Sequence, residues 1–249
     1  MAADRVPDGR SLMRPPSYCE SCLRPLASRD MFPVFSYLWL RGKCRHCKAE
    51  VPIRVLLVEV VTGALFVAVF SLYGVGLDFV VLSACLSLLV LVSLIDLEHG
   101  LILNSMVLPS IVLLVILGPF WTEIGIARGF LGDETLAASL ANSYLSGLGA
   151  FLAFLIVAMI APAGMGGGDV KFAAVLGLMV GFPGILLAIW VSAVGGGLVA
   201  IGLILAGKKG RKDVIPFGPF MALGAAVVLI AGPDLIDWYR DLASAIAGT

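Results

Sequence analysis

Apolar residues run through this chain in long, nearly unbroken stretches, not in the alternating or every-third patterns of a soluble domain. Seven stretches stand out: 55–73, 77–96, 101–121, 143–162, 169–183, 184–206 and 214–232. A helix that spans a bilayer needs roughly 20 apolar residues. Six stretches meet that length, and the fifth is shorter and opens on a charge. Gly-Val-Gly at 74–76 and Phe-Pro-Gly at 182–184 form joints suited to tight turns between helices. The pattern predicts an all-α polytopic membrane protein of about seven spans.

Composition agrees. The chain is 60% hydrophobic, with a mean hydropathy of +1.04. Charged residues make up 14%, about half the usual soluble share. Residues 1–54 are polar and basic, with no apolar core of the kind a cleavable signal needs. They read as a separate cytoplasmic module, with 55–249 as the membrane domain.

The net charge is zero, but its distribution is uneven. Ten of the 17 Lys and Arg precede residue 55, and four more lie at Lys208, Lys209, Arg211 and Lys212. The 122–142 loop holds three acids and one Arg, and so does the tail from Pro233. With seven spans, the basic regions share the cytoplasmic side and the C-terminus lies outside. The lipid bilayer is an expected partner and nucleic acid is not.

The module carries Cys19-Glu20-Ser21-Cys22 and Cys44-Arg45-His46-Cys47. Two such knuckles can place four thiolates tetrahedrally around zinc. The alternatives are two disulfides, which a reducing compartment disfavours, or four idle thiols. Four thiolates close the metal's shell, so the zinc is expected to be structural. The apolar centre of the module, 31–40, suits a small core, a surface resting on lipid headgroups, or both.

Two carboxylates of the membrane domain stand out. Asp96 ends the second stretch, and Asp169 opens the fifth after Gly166-Gly167-Gly168. The second helix runs inward and the fifth outward, so both acids reach the cytoplasmic edge. Intramembrane acids are costly unless they have a task or a partner. Asp169 also suits a helix cap, whereas Asp96 faces the unfavourable pole of its helix. Two carboxylates in one site share a proton and supply an acid and a base, the chemistry of an aspartic protease. The negative helix pole suits Asp96 to the acid role, and the positive pole suits Asp169 to the base. Glycines 166–168 leave room for an extended substrate backbone. Glu59, near the start of the first span, reads as a snorkelling acid, as a contact between helices, or as a substrate-binding group for a basic segment. Lys171 is expected to snorkel to the headgroups. Other classes also use such features: an ion-coupled transporter through paired acids, and a scaffold through its zinc module.

The chain resembles the bacterial type IV prepilin peptidases. The resemblance rests on the Cys19/Cys22/Cys44/Cys47 array with Leu40-Arg41-Gly42-Lys43, Val58-Glu59-Val60-Val61-Thr62-Gly63, Ile95-Asp96, Gly166-Gly167-Gly168-Asp169-Val170-Lys171 and Ile215-Pro216-Phe217-Gly218-Pro219-Phe220. It implies a bifunctional enzyme that cuts type IV prepilins or pseudopilins after a Gly, between a basic leader and an apolar helix. It also implies N-methylation of the new terminus with S-adenosylmethionine as donor. Catalysis then falls to Asp96 and Asp169, and zinc ligation to the four cysteines. Two departures are visible. The family opens with a further membrane helix before a segment like Arg5-Val6-Pro7, which stands near the start here. Its Ile-Pro-Asp/Asn turn reads Ile102-Leu103-Asn104 in this chain, which predicts a more pliable loop.

Overall fold

The structure is a computed structural model that describes residues 5, 6, 9, 17–30, 32, 34–121, 135–161, 164–210, 213 and 215–231. The 122–134 part of the acidic loop and the tail beyond Ala231 therefore lie outside the described residues. The chain divides into two compact units, Met1–Gly74 and Val75–Thr249.

The first unit holds the cysteine module, the short helix α1 (Phe35–Trp39) and the long helix α2 (Ile53–Tyr73). The second holds α3 (Leu77–His99), α4 (Asn104–Leu117), α5 (Leu136–Ile160), α6 (Gly167–Val180), α7 (Gly184–Leu205) and α8 (Gly218–Ala231). Among the described residues the only β-structure is a pair of isolated bridges in the module. All seven apolar stretches are thus helical. α2, α3, α5 and α7 are long and apolar enough to cross a membrane, and α4, α6 and α8 are shorter.

α5 starts seven residues earlier than hydropathy suggests. Thr135 caps it by accepting the Ala138 amide, and its first turns bury Ser139, Asn142 and Ser143. Asn142 explains its own burial: it donates to the Phe182 carbonyl at 2.8 Å and accepts the Phe182 amide at 2.6 Å. One side chain thereby satisfies both backbone polar groups of Phe182 in the α6–α7 turn, which lipid could not do.

α6 is the central helix of this unit, buried almost all round from Val170 to Val180. Its neighbour α5 comes very close because neither helix has a side chain at the crossing. A Cβ at Gly177 would run into the Ser146 carbonyl and would lie 2.7 Å from the Gly147 Cα. Small residues permit this backbone approach in a membrane, where hydrophobic force does not join helices.

α3 buries one stripe, Leu82, Cys85, Leu86, Leu89, Val92 and Asp96, at the spacing of a single helix face. That face carries Asp96 into the packed interior, where it is 5% exposed. Gly100 ends the helix in the left-handed conformation, with φ 63°, and donates to the Asp96 carbonyl at 2.8 Å.

Candidate active site and metal centre

Three segments of the second unit meet at Asp96. The amide of Gly218, at the start of α8, donates to Asp96 Oδ2 at 3.0 Å. Ile102, in the turn between α3 and α4, packs over the same spot. A Cβ on Gly218 would lie 2.6 Å from Asp96 Oδ2 and 3.2 Å from Ile102 Cδ1. On its other side, Ile102 presses against the glycine run: a Cβ on Gly168 would lie 2.9 Å from Ile102 Cβ. Gly168 precedes Asp169, and Asp169 is close enough to Asp96 for their charges to interact. The two carboxylates, 73 positions apart in the sequence, therefore share one neighbourhood built around Ile102.

Asp169 has a second task. Its Oδ2 accepts the Gly166 amide at 3.0 Å, closing the first turn of α6. This is a capping contact, and it occupies one carboxylate oxygen. Asp96 and Asp169 thus each accept one backbone amide. Of the candidate substrate-binding glycines, Gly168 is packed against Ile102. A side chain at Gly167 would meet nothing within 4 Å, and one at Gly166 would meet only Asp169 Oδ2 and the Gly168 amide, at ordinary contact distances.

Two expectations change. Lys171 does not simply snorkel: its Nζ donates to Asn104 Oδ1 at 2.9 Å, tying α6 to the first residue of α4. The Ile102-Leu103-Asn104 turn is not a loose loop, since Ile102 is wedged between two glycines and Asn104 is held by that lysine. Glu59 lies in the first unit, where its Oε2 accepts the Val34 amide at 3.1 Å.

The four module cysteines converge through two copies of one turn. Cys19 and Cys44 each accept an amide four residues on, from Leu23 and Lys48. Leu23 and Lys48 both take positive φ, 56° and 61°. Each first cysteine donates to a carbonyl five residues on, at Arg24 and Ala49. Bridges pair Tyr18 with Pro25 and Lys43 with Glu50. None of the five cysteines forms a disulfide.

The four Sγ atoms all lie within 4.8 Å of one another, and Cys19 and Cys47 are 3.7 Å apart. A tetrahedron with Zn–S bonds of about 2.3 Å needs sulfurs roughly 3.8 Å apart, so this set fits zinc. The amides of Cys47 and His46 hold the Cys44 thiol down to about 6. At Cys47 the Ala49 amide pulls the same way, but burial and the neighbouring sulfurs outweigh it and push the thiol up to about 11. Such crowded sulfurs resist carrying negative charge together, and a divalent cation removes that conflict. His46 is exposed, with Nδ1 3.4 Å from Arg24. Behind the cluster, Arg45 grips the 5%-exposed side chain of Asp30 through Nε, at 2.8 Å, and Nη2, at 2.6 Å, on one oxygen.

Comparison with known proteins agrees with this arrangement. Residues 1–73 match the Bacterial Peptidase A24 N-terminal domain, and residues 83–201 match the Type IV leader peptidase family. A prepilin leader peptidase/N-methyltransferase of Aeromonas hydrophila is 34% identical over 234 residues, covering 92% of this chain and 76% of that protein. The chain belongs to the type IV leader peptidase family. A Bacillus subtilis (strain 168) relative of the same description is 29% identical over 245 residues, covering 97% of this chain and 92% of its own. One from Burkholderia pseudomallei (strain 1026b) is 30% identical over 237 residues, 93% and 72% respectively. No solved structure matches the chain. The N-terminal domain of this leader peptidase ends at 73, so it takes in α2 as well as the cysteines, as the first compact unit does.

Proposed function

We propose that this chain is a membrane aspartic endopeptidase of the bacterial inner membrane. It removes the leader of type IV prepilins or pseudopilins by cutting after a Gly, and it N-methylates the new terminus. The observation that carries the reading is the Asp96–Asp169 neighbourhood, supported by relatives described as prepilin leader peptidase/N-methyltransferases. The charge asymmetry of the sequence supports a site facing the cytoplasm, a cytoplasmic module at 1–54 and a C-terminus outside.

The pair holds one proton between its two carboxylates. Asp169 spends one oxygen on Gly166, and the other takes a proton from water as the water attacks the scissile carbonyl carbon. Asp96, held by Gly218, gives its proton to the carbonyl oxygen. As the tetrahedral intermediate collapses, the C–N bond breaks and the proton returns through the pair to the leaving amine. Gly166 and Gly167 leave an open strip beside Asp169 for an extended substrate backbone. Glu59 supplies negative charge for a basic leader.

Zinc, held by Cys19, Cys22, Cys44 and Cys47, is structural in this reading because four thiolates leave no position for water. The methyl group comes from S-adenosylmethionine. The apolar cavity of about 260 Å³ lined by Leu145, Ser146, Phe182, Ile185 and Ile189 does not fit that donor. Its hydroxyl, Ser146, already donates to Asn142, and a charged nucleoside needs convergent polar groups. No step is assigned to it there.

The test is cleavage of a purified prepilin by the purified chain in detergent, read as the shortened pilin on a gel. Asp96→Ala and Asp169→Ala should each abolish the shift. Cleavage at the wild-type rate by either variant removes the assignment.

A further inference from the structure

Helix α1 buries none of its five residues. Phe35, Leu38 and Trp39 are 76%, 62% and 85% exposed, and Phe32 just before them is 66% exposed. Four large apolar side chains side by side on a small polar module form a patch that water does not favour.

The patch is held in place from beneath. Tyr37 donates its hydroxyl to the Val51 carbonyl at 3.2 Å and accepts the Gly42 amide on its own carbonyl at 2.8 Å. A Cβ at Gly42 would lie 2.9 Å from the Tyr37 ring, so the ring needs that glycine. Val34, the residue that opens α1, donates to Glu59 Oε2.

That last bond sets a depth. α2 has 21 residues, about 31 Å at 1.5 Å each, which matches a hydrocarbon core of about 30 Å. Glu59 lies six residues into α2, about 9 Å along its axis. Val34 is bonded to it and lies at the same level. The exposed rings that follow therefore begin about 9 Å inward of the start of α2, within the roughly 5–10 Å to which an interfacial apolar face sinks below the headgroups, in the zone where Trp and other aromatic rings partition. Arg41, Lys43 and Lys48 are exposed in the same module, which suits phosphate headgroups.

We propose that α1 and Phe32 are inserted into the headgroup–acyl boundary of an anionic leaflet, with Glu59 as the depth stop. The cysteine module then rests on the membrane at a fixed height through two attachments, the spanning helix α2 and this apolar wedge. The proposal concerns the module alone and does not depend on the protease reading.

The test uses the full chain labelled with 5-fluorotryptophan, in nanodiscs containing phosphatidylglycerol. The Trp39 fluorine signal is identified by its absence in Trp39→Phe. A nitroxide near the top of the lipid chain should erase the Trp39 signal, and a water-soluble gadolinium chelate should leave it. In Glu59→Leu, which removes the acceptor for Val34, the lipid nitroxide should lose part of its effect on Trp39. Erasure by gadolinium with survival beside the nitroxide overturns the proposal. So does a Trp39 signal shielded from gadolinium only after prepilin is added, which would make the patch a substrate surface.

Discussion

Gly218 donates its backbone amide to Asp96 Oδ2 at 3.0 Å, across 122 residues of chain. The contact is close because Gly218 has no side chain. It joins the first turn of α8 to the last turn of α3, and Ile102 covers it from the neighbouring turn. The carboxylate is thereby aimed by a group that belongs to neither aspartate motif.

Gly218→Ala should therefore damage cleavage more than its size suggests. Its Cβ would lie 2.6 Å from the carboxylate oxygen, so Asp96 must move off the amide. Asp96 gains charge as it gives up its proton, a hydrogen bond to a charged group contributes about 1.5–3 kcal/mol, and about 1.4 kcal/mol is tenfold in rate. The expected loss is about ten- to a hundredfold in kcat, with KM and the thermal melt little changed. Steady-state cleavage of a prepilin measures it, and an unchanged kcat would show that the amide does not position Asp96.

That contact also marks where the sequence stops being readable. Asp96, Asp169 and the cysteines stand out because each is a polar group in a setting that penalises it. A backbone amide has no such signature, so Gly218 reads only as part of a motif, and it lies beyond the 83–201 leader peptidase match. The helices were legible from hydropathy, but the early start of α5 was not, because Asn142 is buried for the sake of a turn 40 residues away. The bond made by Lys171 has no signature in the sequence for a related reason. Its partner Asn104 is adjacent only after α4 and α6 pack, and no local spacing records that.

The cysteine cluster should bind one zinc ion whose removal loosens the module before it stops cleavage. The motivation is four sulfurs within 4.8 Å, which complete a tetrahedral shell. Cys22→Ser or chelation should lower the melting temperature and the yield. Protein that survives should still cut prepilin. A metal analysis showing three sulfur ligands and an exchangeable water would point to a catalytic zinc instead.

Asp30 should support the module across the whole neutral range. Arg45 beside it holds its carboxyl below the ordinary value of 3.8. A depressed carboxylate contributes stability that is present above its unfolded value and lost as pH falls through the lower folded one. Asp30→Asn should therefore release zinc on heating at a lower temperature than the wild type. The gap should stay constant from pH 8 to pH 5, because Asp30 remains ionised throughout. A gap that closes between pH 7 and pH 5 would mean that another group, not Asp30, is titrating.

The two adjacent glycines before Asp169 should behave differently when each becomes alanine. At Gly168 the new methyl would lie 2.9 Å from Ile102 Cβ and 3.1 Å from the Ile102 carbonyl. Backbone and a branched carbon cannot swing aside as a long side chain can, so α6 or the Ile102 turn must shift. Overpacking of this kind costs about 1–3 kcal/mol. Here the strain falls on the wall between the two aspartates, so Gly168→Ala should lower both the melting temperature and kcat. At Gly167, the first residue of α6, nothing lies within 4 Å, and replacing Gly by Ala where the backbone allows it stabilises by about 0.4–1 kcal/mol through the unfolded chain. Gly167→Ala should therefore leave the fold as stable as before, or more stable. If an extended prepilin backbone lies along this strip, the methyl intrudes on the substrate alone, and KM should rise while the melt does not fall. Melting curves and steady-state cleavage of both variants separate the cases. A Gly167→Ala enzyme with wild-type KM would take Gly167 out of the substrate path, and a Gly168→Ala enzyme with a wild-type melt would show that Ile102 yields freely.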